Sequence, residues 1–131
     1  MLLQEPFTLS SDADRAPQLK ASVGWLLNLM SLEIFWESER GEIIERCPRS
    51  FNPWKYMDHP DEVQSTWCLR FIDEYGDTTF NQYQLPVLVE ELESIHSKSK
   101  DSEARESLES IIAFIRKCHD HAHTYVKFLG D

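Results

Sequence analysis

The sequence has few of the residues on which several common kinds of site depend. Only 4 of its 131 residues are glycine, so a glycine-rich loop that wraps around phosphate groups is not expected. Its three cysteines, Cys47, Cys68 and Cys118, are odd in number, widely separated and without a Cys-x-x-Cys pair. They predict reduced thiols of a cytoplasmic protein instead of a disulfide framework.

Long apolar runs and an excess of basic charge are also absent. The longest purely apolar run covers residues 111–115, far short of the roughly 20 residues that cross a membrane. The first residues contain no basic region and no long apolar core, so a signal peptide is not expected. The 23 acidic residues outnumber the 13 basic ones and give a net charge of −10. Such a chain repels phosphate backbones, which excludes generic binding to nucleic acid or anionic membranes and favours a basic protein partner.

The residues that are present predict one α+β domain over 1–131. The hydrophobic content is 41%, with four tryptophans and seven phenylalanines, which argues against disorder. An arm over 1–14 precedes a helix that has apolar residues at helical spacing from Leu19 to Met30. The complete prediction is an antiparallel sheet of two hairpins packed against helices, with a long C-terminal helix.

Residues 32–47 allow two interpretations. Leu32, Ile34 and Trp36 alternate with polar residues, which is typical of a strand, and Gly41 suits a tight turn before a returning strand. The alternative continues the first helix to Arg40 and ends it at Gly41. We prefer the hairpin.

A second hairpin is predicted between residues 66 and 80. Trp67, Leu69 and Phe71 alternate along the first strand, a turn follows around Gly76, and residues 78–80 form the return. A helix then begins near Leu85, with leucines inside and acidic residues outside.

The proline-containing stretch 48–63 is predicted to be a long loop that carries four large apolar side chains, namely Phe51, Trp54, Tyr56 and Met57. Side chains of this kind either plug the edge of the core or form an exposed contact surface. Plugging is the expected arrangement, and Trp54 and Tyr56 are the candidates for contact with a partner.

The C-terminal stretch 101–130 predicts a helix of about seven turns, because ten residues with mostly apolar side chains recur on one face at helical spacing. Gly130 is expected to end this helix in the left-handed conformation. His119 and His123 lie four residues apart, so on a helix they could share a divalent transition metal such as zinc. Candidates for a further ligand are His96, His59 or a carboxylate of the acidic turn, Asp73 or Asp77. The alternative is that both histidines border the core, with no cofactor.

Two stretches of the second half resemble a family of small uncharacterised bacterial proteins. The first is the acidic turn from Asp73 to Asn81, and the second is the ending from His123 to Asp131, with its pattern His-x-Tyr-x-Lys-Phe-x-Gly-Asp. The family has no established activity, so the resemblance implies no catalytic residues. It directs attention to six candidate binding residues, which are Asp73, Tyr75, Asp77, His123, Tyr125 and Lys127. Whether the two stretches meet is the question that it raises.

Two functions are consistent with this sequence. The first is a non-enzymatic protein-binding module of the immunity or antitoxin type, which binds a basic partner through the aromatic loop or the acidic faces between Glu90 and Glu109. The alternative is a metal-binding protein or metal-dependent enzyme that uses His119 and His123 with Asp73 and Asp77. A homodimer formed through exposed sheet edges or the long helix is a further possibility.

Overall fold

The structure is a computed structural model that describes residues 31–56 and 65–130. Its strands are β1 (Glu33–Glu37), β2 (Ile43–Arg46), β3 (Asp77–Asn81) and β4 (Tyr125–Leu129). Its helices are α1 (Pro53–Tyr56), α2 (Leu85–Lys98) and α3 (Ser102–His119), with a 3-10 turn at Leu69–Phe71. The predicted N-terminal arm, the helix after it, and residues 57–64 with Met57 lie outside the described residues.

The four strands form one antiparallel sheet in the order β2-β1-β4-β3. The preferred hairpin over 32–47 is confirmed, because β1 and β2 are antiparallel neighbours in this sheet. Its turn depends on Gly41, which has a φ of +80° and whose N–H donates to the carbonyl of Ser38 at 2.9 Å. A side chain at this φ would be strained, which explains why the turn forms at glycine.

The two long helices and the sheet enclose a single hydrophobic core. The predicted inner face of α2 is confirmed, since Leu85, Leu88 and Leu92 are fully buried. Helix α3 begins where Asp101 accepts a hydrogen bond from the backbone N–H of Ala104 at 3.0 Å. This N-cap satisfies one of the free amides of the first turn. The α+β class is therefore confirmed, with the core between the sheet and the helices.

The predicted length of the C-terminal helix, which was expected to continue to Leu129, is wrong. Helix α3 ends at His119, residues 120–124 form a turn, and residues 125–129 are the strand β4 at the centre of the sheet. Val126 and Phe128 are both fully buried, a spacing of two that suits a strand and not a helix. Gly130 also does not adopt the left-handed conformation, because Gly41 is the one glycine with positive φ among the described residues.

The second hairpin is also wrong, although one of its two strands exists. Residues 69–71 form a 3-10 turn that buries Leu69 and leaves Trp67 and Phe71 exposed. The predicted return strand is β3, but it pairs with β4 instead of with residues 66–73. The three large apolar residues that alternate in the sequence therefore do not share one face, because Leu69 is buried and the other two are exposed.

Within residues 31–56 and 65–130, no helix is both long enough and apolar enough to cross a membrane.

Candidate functional site

The acidic turn that begins at Asp73 and the ending that begins at His123 are neighbours in the sheet. Strand β3 pairs with β4 from Asp77 opposite Leu129 to Asn81 opposite Tyr125. Beyond the strands, the N–H of Gly130 donates to the carbonyl of Gly76 at 2.8 Å. The acidic turn and the chain ending therefore contact each other through backbone hydrogen bonds.

Lys127 lies between two carboxylates on the sheet face that points away from the core. Its Nζ is 3.4 Å from Asp77 Oδ2 and 3.5 Å from Glu37 Oε2. These distances join β4 to the strand on each side. The carboxylates of Glu37 and Asp77 raise the pKa of Lys127, against the opposing effect of burial. A lysine held protonated in this way is not a nucleophile or a general base near neutral pH.

Asp73 and Tyr75 form hydrogen bonds within the acidic turn. Asp73 Oδ1 accepts a hydrogen bond from the N–H of Tyr75 at 2.9 Å, and the N–H of Asp73 donates to Thr78 Oγ1 at 2.9 Å. This is the side-chain-to-backbone bonding by which aspartate fixes tight turns. The Tyr75 side chain is exposed and Tyr125 is half-buried.

His123 is held apart from this turn. It has a positive φ of 55°, its backbone N–H donates to Gln82 Oε1 at 2.8 Å, and its Nδ1 lies 3.3 Å from Glu39 Oε2. Of the three candidates on the chain ending, Lys127 therefore approaches the Asp73–Asp77 turn with its side chain, whereas His123 faces the β1–β2 turn.

The geometry assumed for a zinc site is wrong, because His119 ends α3 and His123 follows a turn. The two are therefore not four residues apart on one helix. The ring of His121, between them in sequence, packs on Trp36 with 4.8 Å between the ring centroids. Within 31–56 and 65–130, no three His, Cys, Asp or Glu residues are grouped so that they could hold a metal ion. Zinc binding stays a prediction.

The aromatic loop plugs the core at Phe51, as expected. Phe51 is fully buried, with its ring centroid 5.6 Å from that of Phe128 and 5.4 Å from that of Tyr56. Tyr56 is half-buried, and the side chain of Trp54 lies outside the described residues. The loop therefore contributes Phe51 to the core, which removes it as a contact residue.

Exposed apolar side chains lie elsewhere, beside the 3-10 turn and at the start of α2. Trp67 is 75% exposed, Phe71 61%, Tyr83 84% and Val87 37%, and we name these four residues the aromatic face. Trp67 and Val87 line the same cleft, and the guanidinium of Arg70 lies 4.8 Å from the centroid of the Phe71 ring. Sequence reasoning missed this surface because it placed Trp67 and Phe71 on the same face of a strand as Leu69, which is buried.

Glu91 attaches the aromatic face to α2. Its carboxylate accepts hydrogen bonds from three consecutive backbone amides, those of Trp67, Cys68 and Leu69. Three N–H groups at the start of a 3-10 turn have no partner within the turn, so a carboxylate from another element stabilises them as an N-cap would. The sequence pattern predicts Glu91 on the acidic outer side of the helix, and it does not distinguish Glu91 from Glu90.

Replacing Glu91 by alanine is expected to lower the free energy of unfolding by about 1 to 2 kcal/mol, because three amides lose a charged acceptor. Glu91→Gln keeps one acceptor oxygen and is expected to have about half the effect. Glu90→Gln is the matched control, because Glu90 is an exposed neighbour that makes no such bonds. Urea denaturation measures the stabilities, and hydrogen exchange at residues 67–69 locates the loss. Equal effects of the Glu90 and Glu91 variants would contradict this role.

The three thiols are free and buried. Burial raises the pKa of Cys118 to about 12 and that of Cys68 to about 11, and it also raises the pKa of Cys47. The reactive form of cysteine is the thiolate, so none of these three thiols is an activated nucleophile near neutral pH.

These thiols make the protein less stable in alkali. Above the ordinary thiol pKa of 9.0 the unfolded chain loses protons that the folded chain retains, so the free energy of unfolding decreases as pH rises. From about pH 8 to about pH 10 we expect Cys68 and Cys118 together to cause a loss of about 3 kcal/mol. Urea titrations at each pH measure it, and Cys68→Ala should reduce the loss by about half. A stability that does not change over this range would contradict the expectation.

A cleft of about 770 Å³ lies beside the aromatic face, between α2 and the segments around Tyr56 and Trp67. Its volume falls within the range of ligand-binding pockets. The residues that line it are Lys55, Tyr56, Ser65, Thr66, Trp67, Val87, Glu90, Glu91, Ser94, Ile95, Lys98, Ser99, Lys100, Asp101 and Ala104.

No protein-family model, curated protein or solved structure matches the chain.

Proposed function

We propose that this chain is a non-enzymatic protein-binding module of the immunity or antitoxin type, and that its partner is a basic protein. The observation that carries the proposal is the aromatic face, where Trp67, Phe71 and Tyr83 are each more than half exposed. Trp, Tyr and Arg dominate the binding energy of protein interfaces. Trp67 and Tyr83 are residues of these types, and Arg70 lies against the exposed ring of Phe71.

The acidic surface between Glu90 and Glu109 is a weaker candidate than the sequence indicated, because many of its charges have partners. Glu93 forms an ion pair with Arg116, and Glu103 with Lys55. The carboxylate of Glu109 lies 2.8 Å from the His96 ring. Charges satisfied within the chain have less attraction to offer a partner. The net charge of −10 still favours the approach of a basic protein, which acts mainly on the association rate.

The side chains most suited to covalent catalysis are unfavourably placed in the described part of the chain. All three thiols are buried, and burial raises the pKa of each. Lys127 is held between two carboxylates that raise its pKa. These features support a binding role, because nucleophilic catalysis requires a lowered pKa or an adjacent base.

Photo-crosslinking in the cells that produce the protein tests the proposal. Benzoylphenylalanine in place of Trp67 is expected to capture a basic protein, which mass spectrometry then identifies. The same group in place of Ala113, an exposed residue of α3, is the matched control and is expected to capture nothing comparable. With the identified protein purified, Trp67→Ala should weaken its affinity by about 30-fold, as expected for a residue that contributes about 2 kcal/mol.

Two results would contradict the proposal. One is the absence of any adduct that depends on position 67. The other is an unchanged affinity of the captured protein for the Trp67→Ala variant, with the fold of that variant verified by circular dichroism.

A second copy of the chain is an alternative partner that one observation favours. Ile43 and Ile44 are 60% and 52% exposed on β2, an edge strand of the described sheet. Exposed edge strands with apolar side chains are common sites of self-association. Sedimentation velocity over a range of concentrations, with Ile44→Lys as the variant, distinguishes this homodimer from the binding of a different protein through the aromatic face.

A further inference from the structure

The charged groups that line the cleft beside the aromatic face fall into two classes. Most of them are already engaged: Lys55 forms an ion pair with Glu103, Glu91 accepts the amides at residues 67–69, and Asp101 caps α3. Lys98 also has an interaction within the chain. These groups therefore contribute to the fold and leave little free charge for a ligand.

The other class has two members. Glu90 and Lys100 are exposed, line the same cleft, and make no hydrogen bond or ion pair among the residues that the structure describes. One is a carboxylate and the other an ammonium group, so the cleft presents one unpartnered charge of each sign. A phosphate site would instead gather several cations around one point, so this lining does not suit a phosphorylated ligand.

The two free charges are separated along the cleft. Glu90 lies in the middle of α2, whereas Lys100 lies two residues after its last residue, Lys98. At 1.5 Å per helical residue, the backbone positions of Glu90 and Lys98 are about 12 Å apart along the axis, and Lys100 follows two residues later. An extended peptide rises about 3.3 Å per residue, so a segment of about four residues covers the helical part of this separation.

Apolar and aromatic groups complete the lining at points that suit such a peptide. Trp67 is exposed and lines the cleft together with Glu90, so a partner cation could contact an aromatic ring as well as a carboxylate. Tryptophan is the best of the aromatic residues for this cation–π contact. Ile95, partly buried, follows Glu90 on α2 and offers an apolar surface toward the basic end.

We infer that the partner of this protein presents an extended segment in which a lysine or arginine lies four residues from an aspartate or glutamate. The cation of this segment binds at Glu90 and Trp67, and its carboxylate binds at Lys100. The inference rests on the proposed protein-binding function and specifies the chemistry that the partner must have.

A synthetic peptide tests this inference on the full chain. The probe is fluorescently labelled Gly-Arg-Ala-Leu-Ala-Glu-Gly with blocked ends, and its dissociation constant is measured by fluorescence anisotropy at low salt. Glu90→Gln and Lys100→Gln are each expected to weaken binding by about fivefold, and Trp67→Ala by about tenfold. Glu42→Gln is the matched control, because it removes an exposed carboxylate from the β1–β2 turn, away from the cleft lining.

A second peptide, with glutamine in place of arginine, identifies the pairing. This peptide lacks the cation that is expected to pair with Glu90. It should therefore bind the wild type and the Glu90→Gln variant with equal affinity. The inference is overturned if the first peptide shows no saturable binding at about 5 mM, or if Glu42→Gln weakens it as much as Glu90→Gln does. If position 67 crosslinks to a protein whose affinity the Glu90 and Lys100 variants leave unchanged, the inference fails while the proposed function stands. If no protein is captured at position 67, the proposed function fails.

Discussion

Replacing Phe128 by alanine is expected to lower the free energy of unfolding by about 4 kcal/mol, within the range measured for large aromatic residues in cores. Phe128 is fully buried, and its ring meets those of Phe51 and Phe80 edge to face, with centroids 5.6 and 5.8 Å away. Alanine would leave a cavity at the point where the central strand β4 contacts both the plugging loop and β3. A loss of this size is a large part of the 5 to 15 kcal/mol that typically stabilises a domain.

Two controls make this prediction specific to the strand. On the helix that the sequence indicated, Leu129 faces the core and Phe128 does not, whereas in β4 Phe128 is fully buried and Leu129 is half-buried. The strand therefore predicts a much larger loss for Phe128→Ala than for Leu129→Ala, and the helix predicts the reverse. Phe128→Leu keeps most of the volume and should cost about 1.5 kcal/mol or less. Urea denaturation of the three variants measures their losses in the free energy of unfolding and shows which is largest.

The error at β4 has a physical cause in the sequence. Val126 and Leu129 continue the spacing of α3, so a helical pattern extends past the true end of the helix. Residues 124–128, however, are mostly β-branched or aromatic, and Val126 and Phe128 alternate with Tyr125 and Lys127. The decisive contribution is the pairing of β4 with β1 and β3, which are far away in the chain. Such tertiary pairing overrides local propensity and is not visible in a local pattern.

The sequence pattern predicted an element correctly where the contacts that form this element are close in sequence. The turn at Gly41 and the alternation of β1 predicted the first hairpin, and the leucine spacing of α2 predicted its buried face. Both predictions depend on contacts close in sequence, which a pattern of a few residues records. The class of the fold followed from these elements, whereas the order of the strands did not.

The candidate site was predictable only in part. The resemblance singled out Asp77 and Lys127 on two stretches, and the structure places their side chains 3.4 Å apart. The aromatic face was not predicted, because Trp67 and Phe71 have the alternation of a strand while Glu91 fixes their segment as a turn. This carboxylate lies more than 20 residues further along the chain. When the conformation of a segment depends on one side chain far away in the sequence, the residues of the segment show no periodic pattern that would predict it.

Gly130 is the second position at which a small change should have a large effect, because it lies against the backbone of the acidic turn. A Cβ at this position would clash with the carbonyl group of Glu74, whose carbon would lie 2.7 Å away, and would lie 2.9 Å from the carbonyl oxygen of Gly76. Atoms of two backbone segments cannot yield as a flexible side chain does. The N–H of Gly130 also donates to Gly76 at 2.8 Å, so relieving the clash would break this hydrogen bond. Gly130→Ala is therefore expected to cost about 3 kcal/mol, at the upper end of overpacking effects.

Gly76→Ala is the matched control, since it adds the same methyl group to the other side of this contact. Its Cβ would approach only the Asp73 side chain, with Oδ2 at 2.7 Å, and that side chain can rotate away. Rotation of the Asp73 side chain weakens the hydrogen bond that the N–H of Tyr75 donates to Asp73 Oδ1. The free energy of unfolding is therefore expected to decrease by about 0.5 to 1 kcal/mol. Thermal and urea denaturation of both variants measure the difference. Equal losses would mean that Gly130 does not contact the turn closely, and that the two stretches are joined by the β3–β4 pairing alone.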